Sequence, residues 1–351
     1  MLSDRGIKRF MENGQLSVEP ARIRSASIDL ELGSELYVSD TSAIRSITDE
    51  MVSLTKQGKI SEREELGENF MRLPAEQYLS RFAQPVTATD GYWELLPDQL
   101  YYVQTNNKVK IRPNVEVRVV SRSSLARLGL EVQNVGAKMW RREGYEGHPL
   151  LMLRTQGTTV RLPTGYPVCQ MIVNHFGYLG QDELQTAMAS GEISISGNPA
   201  VWENYALLTL HPKMLRYNGA PMDPTKDTSN CFDEIDVANG FELEPYQFYL
   251  GSTQEAISLA AGYVGVLDDY TGPVSMHTNA PFHWPGPGHN MTLEMFAHQP
   301  GLVHAGSPIC KLYFDRLHPE CGFLYQSSNY NDQQGPTPSR SHLQSRFVPI
   351  D

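Results

Sequence analysis

The chain has 351 residues, of which 40% are hydrophobic and 20% are charged, and its formal net charge at pH 7 is −11. This length and composition predict a globular protein of about two domains, and no apolar run approaches the roughly 18 residues needed to span a bilayer. The acidic balance argues against nucleic acid polymers as partners, and the lack of a long apolar run argues against a membrane. A polar N-terminus without a signal peptide and four cysteines without Cys-x-x-Cys spacing predict a cytoplasmic location.

Short strands dominate the predicted elements in chain order. A first helix is expected at Asp4–Asn13, with Ser3 as its N-cap and Gly14 as its stop, and a second helix at Asp182–Ser190. The strand runs are rich in Val, Tyr and Leu and are punctuated by Gly, Pro and Asn: 100–113, 115–120, 149–155, 241–253 and 262–267. Because no βαβ alternation is present, a mainly antiparallel β fold is predicted.

The chain also contains an internal repeat. "DRGIKRFMENGQLSV" matches "DELQTAMASGEISI" in residue type, and "TGYPVCQMIVNHF" matches "AGSPICKLYFDRL". A third pair, "YVQTNNKVKIRPNVEV" and "YLGSTQEAISLAAGYV", keeps the same order in both halves. Three collinear matches predict two copies of one β unit, at 1–178 and 179–325, with a polar insert at about 40–90 and a C-terminal tail at 326–351.

Three segments resemble a known family. "LSDRGIKRFMENGQLSVEP", "SRSSLARLGL" and "YNDQQGPTPSR" are similar to the start, the phosphate-site motif and the C-terminal tail of the dCTP deaminases, in the dUTPase-like superfamily. The resemblance covers most of the chain in a tandem two-copy form, since one family unit has about half this length. It implies distorted β-barrel units with a few short helices, a trimer-based homo-oligomer, and active sites between neighbouring units.

The stretch Arg122-Ser123-Ser124, followed by Arg127, predicts an oxyanion site. Guanidinium groups bind phosphate oxygens through paired, charge-assisted hydrogen bonds, and serine hydroxyls at a turn add short donors. The alternative is a strand end with solvated arginines and a capped turn. With the family resemblance, binding of a nucleotide triphosphate is the favoured interpretation.

Deamination of cytosine needs a water at C4 and a group that moves its protons, which one carboxylate can do. The family resemblance assigns this role to Glu294, with Ser123 and Arg127 as further catalytic residues and the Ala280 carbonyl holding the water. In the first copy the equivalent position is Met152, which cannot carry protons, whereas the second copy lacks the Arg-Ser-Ser motif. We therefore predict one composite site, whose two halves come from the same chain or from neighbours. A solvent-facing strand glutamate is the alternative for Glu294.

Further substrate contacts are implied by the same resemblance. Thr292 and Leu293 adjoin the glutamate, and Trp284 falls where the family has a sugar-binding aspartate, so it either stacks on the deoxyribose or base or fills core. Tyr330 and Gln333 match the family tail, which predicts a lid over the triphosphate, with a disordered terminus as the alternative. The family's tail lysine falls at Asn329, which is a departure from the family pattern.

These residues predict hydrolysis of dCTP to dUTP and ammonia. Magnesium is expected on the triphosphate, and no zinc is expected, because the His-x-Glu and Pro-Cys-x-x-Cys pattern of zinc deaminases is missing and the four cysteines form no Cys-x-x-Cys pair. Alternatives are a dUTP diphosphatase, a bifunctional enzyme that also cleaves the triphosphate, and a nucleotide-binding regulator without catalysis. dTTP is a candidate inhibitor.

Overall fold

The structure of the protein is a computed structural model. The described residues are 1–59, 61–62, 79, 83–97, 99–113, 115–135, 144–174, 177–197, 199–270, 281–322, 330 and 333–346. The predicted positions Ala280 and Asn329 lie outside these ranges, as does most of the second half of the predicted insert.

Short helices lie between the strands. The first helix, α1 (Asp4–Glu12), begins after Ser3, whose side chain accepts a hydrogen bond from the Gly6 N–H, and it ends before Gly14, which has a φ of +65°. The predicted start and stop of this helix are therefore confirmed. The other helices are α2 (Thr41–Lys56), α3 (Ser123–Ala126) and α4 (Gln181–Ala189), with 3₁₀ segments at Ser229–Cys231 and Ser341–Arg346.

In the first half, the predicted runs 100–113, 115–120 and 149–155 all contain strands, and further strands lie outside these runs. The strands of this half are β1 (Leu16–Glu19), β2 (Arg22–Ile23), β3 (Ile28–Ser39), β4 (Ala83–Val86), β5 (Tyr92–Leu95), β6 (Leu100–Thr105), β7 (Lys108–Ile111), β8 (Val117–Ser121), β9 (Leu130–Asn134), β10 (Tyr145–Gly147), β11 (Leu150–Thr155), β12 (Val160–Pro163) and β13 (Pro167–Val173). The main sheet has the order β8-β13-β3-β6-β11-β9, with β2 and β4 also paired to β3. Smaller sheets are β1-β7-β10 and β12-β5.

The second half has a corresponding set of strands. They are β14 (Ile193–Ile195), β15 (Ala200–Trp202), β16 (Tyr205–Thr209), β17 (Lys213–Tyr217), β18 (Phe232–Asp236), β19 (Phe241–Leu243), β20 (Gln247–Leu259), β21 (Tyr263–Asp269), β22 (Phe282–His283), β23 (Gly286–Ala297), β24 (Gly301–Val303) and β25 (Pro308–Arg316). Their sheets are β14-β20-β17-β18, with β23 paired to β20, then β15-β16-β25-β21-β22 and β19-β24. The mainly β fold is confirmed.

The two halves use the repeated Gly-x-Pro-x-Cys segment in the same way. Cys169 lies on β13, which pairs with β8 on one side and β3 on the other, and Cys310 lies on β25, which pairs with β21 and β16. Both cysteines are fully buried, and all these pairings are antiparallel. The sequence repeat thus corresponds to equivalent positions in two similar sheets.

A continuous hydrophobic core joins the halves. Its first-half members include Leu125 and Leu130, which flank the Arg127 segment. Its second-half members are Tyr217, Met222, Cys231, Phe232, Phe248, Leu250 and Phe296. Since each buried large apolar side chain is worth about 1.5–3 kcal/mol, this shared core holds the Arg122–Arg127 segment close to the second half. Within the described residues, no helix has the length and apolar character needed to cross a membrane.

Candidate active site

The Arg-Ser-Ser motif occupies the end of β8 and the one-turn helix α3. The Leu125 and Ala126 N–H groups both donate to the Arg122 carbonyl at 2.9 Å, which closes the turn. Leu125 and Ala126 are fully buried, so the apolar half of the motif anchors the turn in the core. Ser124 is 1% exposed, and its Oγ has no hydrogen-bond partner in the described part of the chain, which leaves a buried donor available to a ligand.

Arg127 follows the turn and is 5% exposed. Its Nη1 and Nη2 both donate to Gln333 Oε1 at 3.1 Å, and Nη1 also donates to the Thr337 carbonyl at 2.8 Å. The Tyr330 ring lies against the guanidinium, with 3.9 Å between Cζ and the ring centroid. The first half therefore supplies a guanidinium that the C-terminal tail covers from two sides.

Glu294 lies on β23, where it pairs with Leu250 of β20, and it is 3% exposed. Burial raises the pKa of its carboxyl group from an ordinary 4.5 to about 7, while the Arg127 charge acts in the opposite direction. Strand alternation puts Thr292 on the same face as Glu294. The sequence alternative of a solvent-facing glutamate is therefore wrong, because this side chain is buried and feels the charge of Arg127.

The tail bridges the two halves beside this pair. Thr292 donates its hydroxyl hydrogen to Gln333 Oε1 at 3.4 Å, and the Thr337 N–H donates to Thr292 Oγ1 at 3.2 Å. The Gln333 side-chain amide also donates to the Asn290 carbonyl. One glutamine thus contacts Arg127 of the first half and β23 of the second, so the tail's described residues are ordered against the site.

Polar contacts fix the far end of the tail as well. The Arg340 N–H donates to the Tyr330 hydroxyl at 2.8 Å, and Ser341 Oγ donates to the Pro224 carbonyl at 2.6 Å. Pro224 belongs to a loop of the second half that also reaches β12 of the first, since Met222 accepts from the Arg161 N–H at 2.8 Å. The tail is therefore seated on a loop held between the halves.

Comparison with known proteins decides the family. The sequence model described as dCTP deaminase-like matches residues 1–176 and again residues 178–317. The chain belongs to the dCTP deaminase-like family. The two matched segments agree with the repeat found in the sequence.

Related sequences match about half of the chain or less. The chain is 28% identical over 176 residues to the "dCTP deaminase, dUMP-forming" of Aquifex aeolicus, a match covering 49% of this chain and 79% of that relative. It is 34% identical over 137 residues to the protein of the same name from Clostridium beijerinckii, covering 38% and 77%. These shares fit relatives that contain one family unit.

A solved structure resembles both halves together. The crystal structure of 2'-deoxycytidine 5'-triphosphate deaminase from Agrobacterium tumefaciens is similar with a TM-score of 0.69. The likeness covers 90% of this chain and 98% of that chain at 17% sequence identity, which shows a shared fold.

Not every residue predicted from the family resemblance has its side chain at the Arg127–Glu294 pair. Leu293 is fully buried in the core of the second half, so only its backbone is positioned to meet a ligand. Trp284 stacks on Phe282, with 5.4 Å between ring centroids, and packs against a third hydrophobic cluster that includes Met1 and Val264. The core-filling alternative fits this position of Trp284, and a sugar contact remains a prediction.

The structure also shows residues that the sequence analysis did not assign to the site. Thr337 and Asn290 hold the tail in place. Asn290 could have been found from strand alternation, because it is two residues before Thr292. His289 is buried and contacts His283 in a tilted arrangement, with 4.6 Å between ring centroids, and burial lowers the pKa of both rings. The Arg127 charge further lowers the pKa of His289, which puts that neutral ring near the site.

Met152, the first-half counterpart of Glu294, lines a cavity of about 240 Å³. The other lining residues are Leu100, Glu131, Gln133 and Arg154. Arg154 Nη2 lies 3.0 Å from Glu131 Oε2, so these two side chains form an ion pair in the wall of the cavity. Within the described ranges, no three His, Cys, Asp or Glu side chains are grouped so that they could hold a metal ion.

Proposed function

We propose that this protein hydrolyses the 4-amino group of dCTP, giving dUTP and ammonia. The proposal rests on one observation: Glu294 is buried, its carboxyl group has a pKa of about 7, and it feels the charge of the Arg127 guanidinium. A carboxyl group with a pKa near the working pH is suited to take a proton and return it within one reaction. Relatives named dCTP deaminase supply the substrate class.

The reaction then proceeds at Glu294. The ionised carboxylate takes a proton from a water molecule as the water oxygen bonds to C4 of the cytosine. Glu294 passes this proton to N3, which gives a tetrahedral intermediate with a hydroxyl group on C4. The carboxylate then takes the hydroxyl proton and passes it to the 4-amino group, the C4–N bond breaks as the C4 carbonyl forms, and ammonia leaves. One dCTP and one water thus give one dUTP and one ammonia, and the glutamate returns to its starting state.

We assign binding of the triphosphate group of dCTP to the first half and the tail. Arg122, Ser123, Ser124 and Arg127 supply cationic and hydroxyl donors, and Gln333 already contacts Arg127. Phosphate oxygens would replace or add to the acceptors that Arg127 now uses. Magnesium enters as part of the substrate, bound to phosphate oxygens and water, and the mechanism at C4 needs no zinc.

A second activity is favoured by the names of the relatives, which are both described as dUMP-forming. In that case dUTP would react with a second water to give dUMP and pyrophosphate. This is the bifunctional alternative raised by the sequence.

Product analysis tests both activities. The purified full-length chain is incubated with the magnesium complexes of dCTP and, separately, dUTP, and ammonia, pyrophosphate, dUTP and dUMP are quantified. From dCTP, ammonia and dUTP alone indicate a deaminase, whereas ammonia, pyrophosphate and dUMP indicate the bifunctional enzyme. Pyrophosphate and dUMP from dUTP, with no ammonia from dCTP, indicate a dUTP diphosphatase. Tight dCTP binding without ammonia release would contradict the proposal and favour the non-catalytic regulator.

Assembly and inhibition are part of the same proposal. We expect a trimer-based homo-oligomer and inhibition by dTTP from the family resemblance, and a cytoplasmic location from the polar N-terminus and the cysteine pattern. Mass measurement by light scattering, with and without dCTP, tests the oligomer. A dCTP titration at fixed dTTP tests the inhibition.

A further inference from the structure

A buried carboxylate lies behind the phosphate-site motif. Asp29, on β3, is fully buried, and its Oδ2 accepts from Arg24 Nε at 2.8 Å and lies 2.7 Å from Arg24 Nη2. Its Oδ1 accepts from Gln170 Nε2 at 3.3 Å and lies 4.0 Å from Arg122 Nε. Asp29 thus lies between two guanidinium groups and one side-chain amide.

The sheet aligns these groups. Gln170 on β13 pairs directly with Asp29 on β3, and β13 also pairs with β8, which ends beside Arg122. Arg122 Nη1 donates to the Pro167 carbonyl at 3.1 Å, at the start of β13. Two of the three guanidinium nitrogens of Arg122 therefore face fixed groups of the first half, one through a hydrogen bond to Pro167 and the other through a charge contact of 4.0 Å with Asp29.

We infer that Asp29 is a positioning residue that holds Arg122 in the orientation in which it binds the triphosphate. This inference rests on the proposed function, since it assumes that Arg122 meets phosphate. Asp29 itself contacts no substrate in this account. Its effect passes through the Arg122 side chain, which is 6% exposed and therefore largely shielded from solvent.

An Asp29→Asn substitution has two opposite effects on triphosphate binding, so the direction of the measured change distinguishes between them. The substitution removes one negative charge near the site, so simple attraction predicts tighter binding of a triphosphate. It also removes the charge that attracts Arg122 Nε, so loss of positioning predicts weaker binding. A buried charged group that loses its partner is strongly penalised, and we expect the second effect to win.

The matched control is Glu146→Gln. Glu146 is an exposed carboxylate on β10 of the same half, paired with Lys108 at 3.1 Å and Lys110 at 2.7 Å. The control removes the same formal charge without touching Arg122. Because exposed ion pairs contribute little, binding in this variant should stay within about twofold of the parent.

The experiment measures binding of magnesium tripolyphosphate by calorimetry, together with KM and kcat for dCTP. Asp29→Asn should raise the Kd for tripolyphosphate and the KM for dCTP roughly tenfold or more, with a much smaller change in kcat. Asp29→Glu, which restores the charge, should recover part of the binding. In an Arg122→Ala background the Asp29→Asn change should have little further effect, because the side chain it positions is gone.

Tripolyphosphate has no base, so its binding reports the phosphate end whether or not dCTP is deaminated. Failure of the proposed function appears as no ammonia with tripolyphosphate binding intact. The inference is overturned if Asp29→Asn binds tripolyphosphate as tightly as the parent or more tightly, or if the parent does not bind it. If Asp29→Asn does not fold, the same measurements are made on Asp29→Glu. Equal falls in kcat and in tripolyphosphate affinity in that variant overturn the inference.

Discussion

Arg127 of the first half lies close enough to Glu294 of the second half for its charge to lower the pKa of that carboxyl group. Burial acts in the other direction and prevails, so the pKa is about 7. This relationship exists within a single chain, and the tail residue Gln333 contacts both Arg127 and the strand that carries Glu294. The two halves therefore meet at one site and contribute different chemical groups to it.

Glu294→Gln should abolish deamination while leaving nucleotide binding nearly unchanged. The amide keeps the shape of the side chain but cannot take a proton from water, and general acid–base catalysis is worth about 10²–10⁴-fold or more. Ammonia release from dCTP measures the rate, and calorimetry with dCTP measures binding. The matched control is Glu242→Gln, because Glu242 is exposed on β19, and this variant should keep full activity. Normal deamination by Glu294→Gln would rule out the assigned role.

The rate of deamination should depend on the ionisation of Glu294. The general base is the ionised form, so kcat/KM for dCTP, which reports the free enzyme, should rise with pH through an acid limb near pH 7. Arg127→Gln removes a charge that lowers the pKa of Glu294, so the limb should move to higher pH. The exposed Arg118→Gln is the charge-matched control and should leave the limb in place. An unchanged limb in Arg127→Gln would show that the two groups do not interact.

Glu294 should also make the stability of the fold depend on pH. Its folded-state pKa of about 7 is above the ordinary 4.5, so its protonated form favours folding below about pH 4.5, and that contribution is lost as pH rises towards 7. Glu294→Gln removes this loss. The variant should therefore gain stability relative to the parent between pH 4.5 and 7, by on the order of 3 kcal/mol at the upper end. Urea unfolding at several pH values measures it, and a constant difference would contradict it.

Gln333→Ala should weaken nucleotide binding without unfolding the protein. The substitution removes the oxygen that accepts from Arg127 Nη1 and Nη2, and it removes the contact with Thr292. The tail should therefore close less firmly over the triphosphate. We expect a rise of roughly tenfold in KM for dCTP, on the scale of one or two buried hydrogen bonds to a charged group. Gln57→Ala, at the exposed end of α2, is the control. Equal KM values for dCTP in the two variants would show that Gln333 and the tail do not contribute to substrate binding.

Much of the fold follows from local sequence signals. Strand runs punctuated by Gly, Pro and Asn match the observed strands because turns and β-branched runs are local properties. The equivalence of Cys169 and Cys310 came from the repeat alone. The Arg122–Arg127 segment and Glu294 were found through the family resemblance, and the burial of Glu294 could not be read from its neighbours Leu293 and Met295.

The rest of the site depends on contacts between distant parts of the chain. Nothing in the sequence around Tyr330 indicates that its ring covers Arg127, or that Ser341 reaches Pro224. The tilted contact between His283 and His289 joins residues that are close in sequence, but it requires two strands from different sheets to meet. Trp284, an aromatic residue at a family binding position, packs against Phe282, and its contact with the sugar stays a prediction.

Mixing two defective chains tests the composite site most directly. Glu294→Gln and Arg127→Ala chains with different tags are co-expressed, and mixed assemblies are isolated and assayed with dCTP. Since both groups of one site belong to one chain, no chain in the mixture has an intact site, and the activity should stay at the level of the separate variants. Recovery of deamination in the mixed assemblies would show that Arg127 and Glu294 act across chains, which contradicts the account.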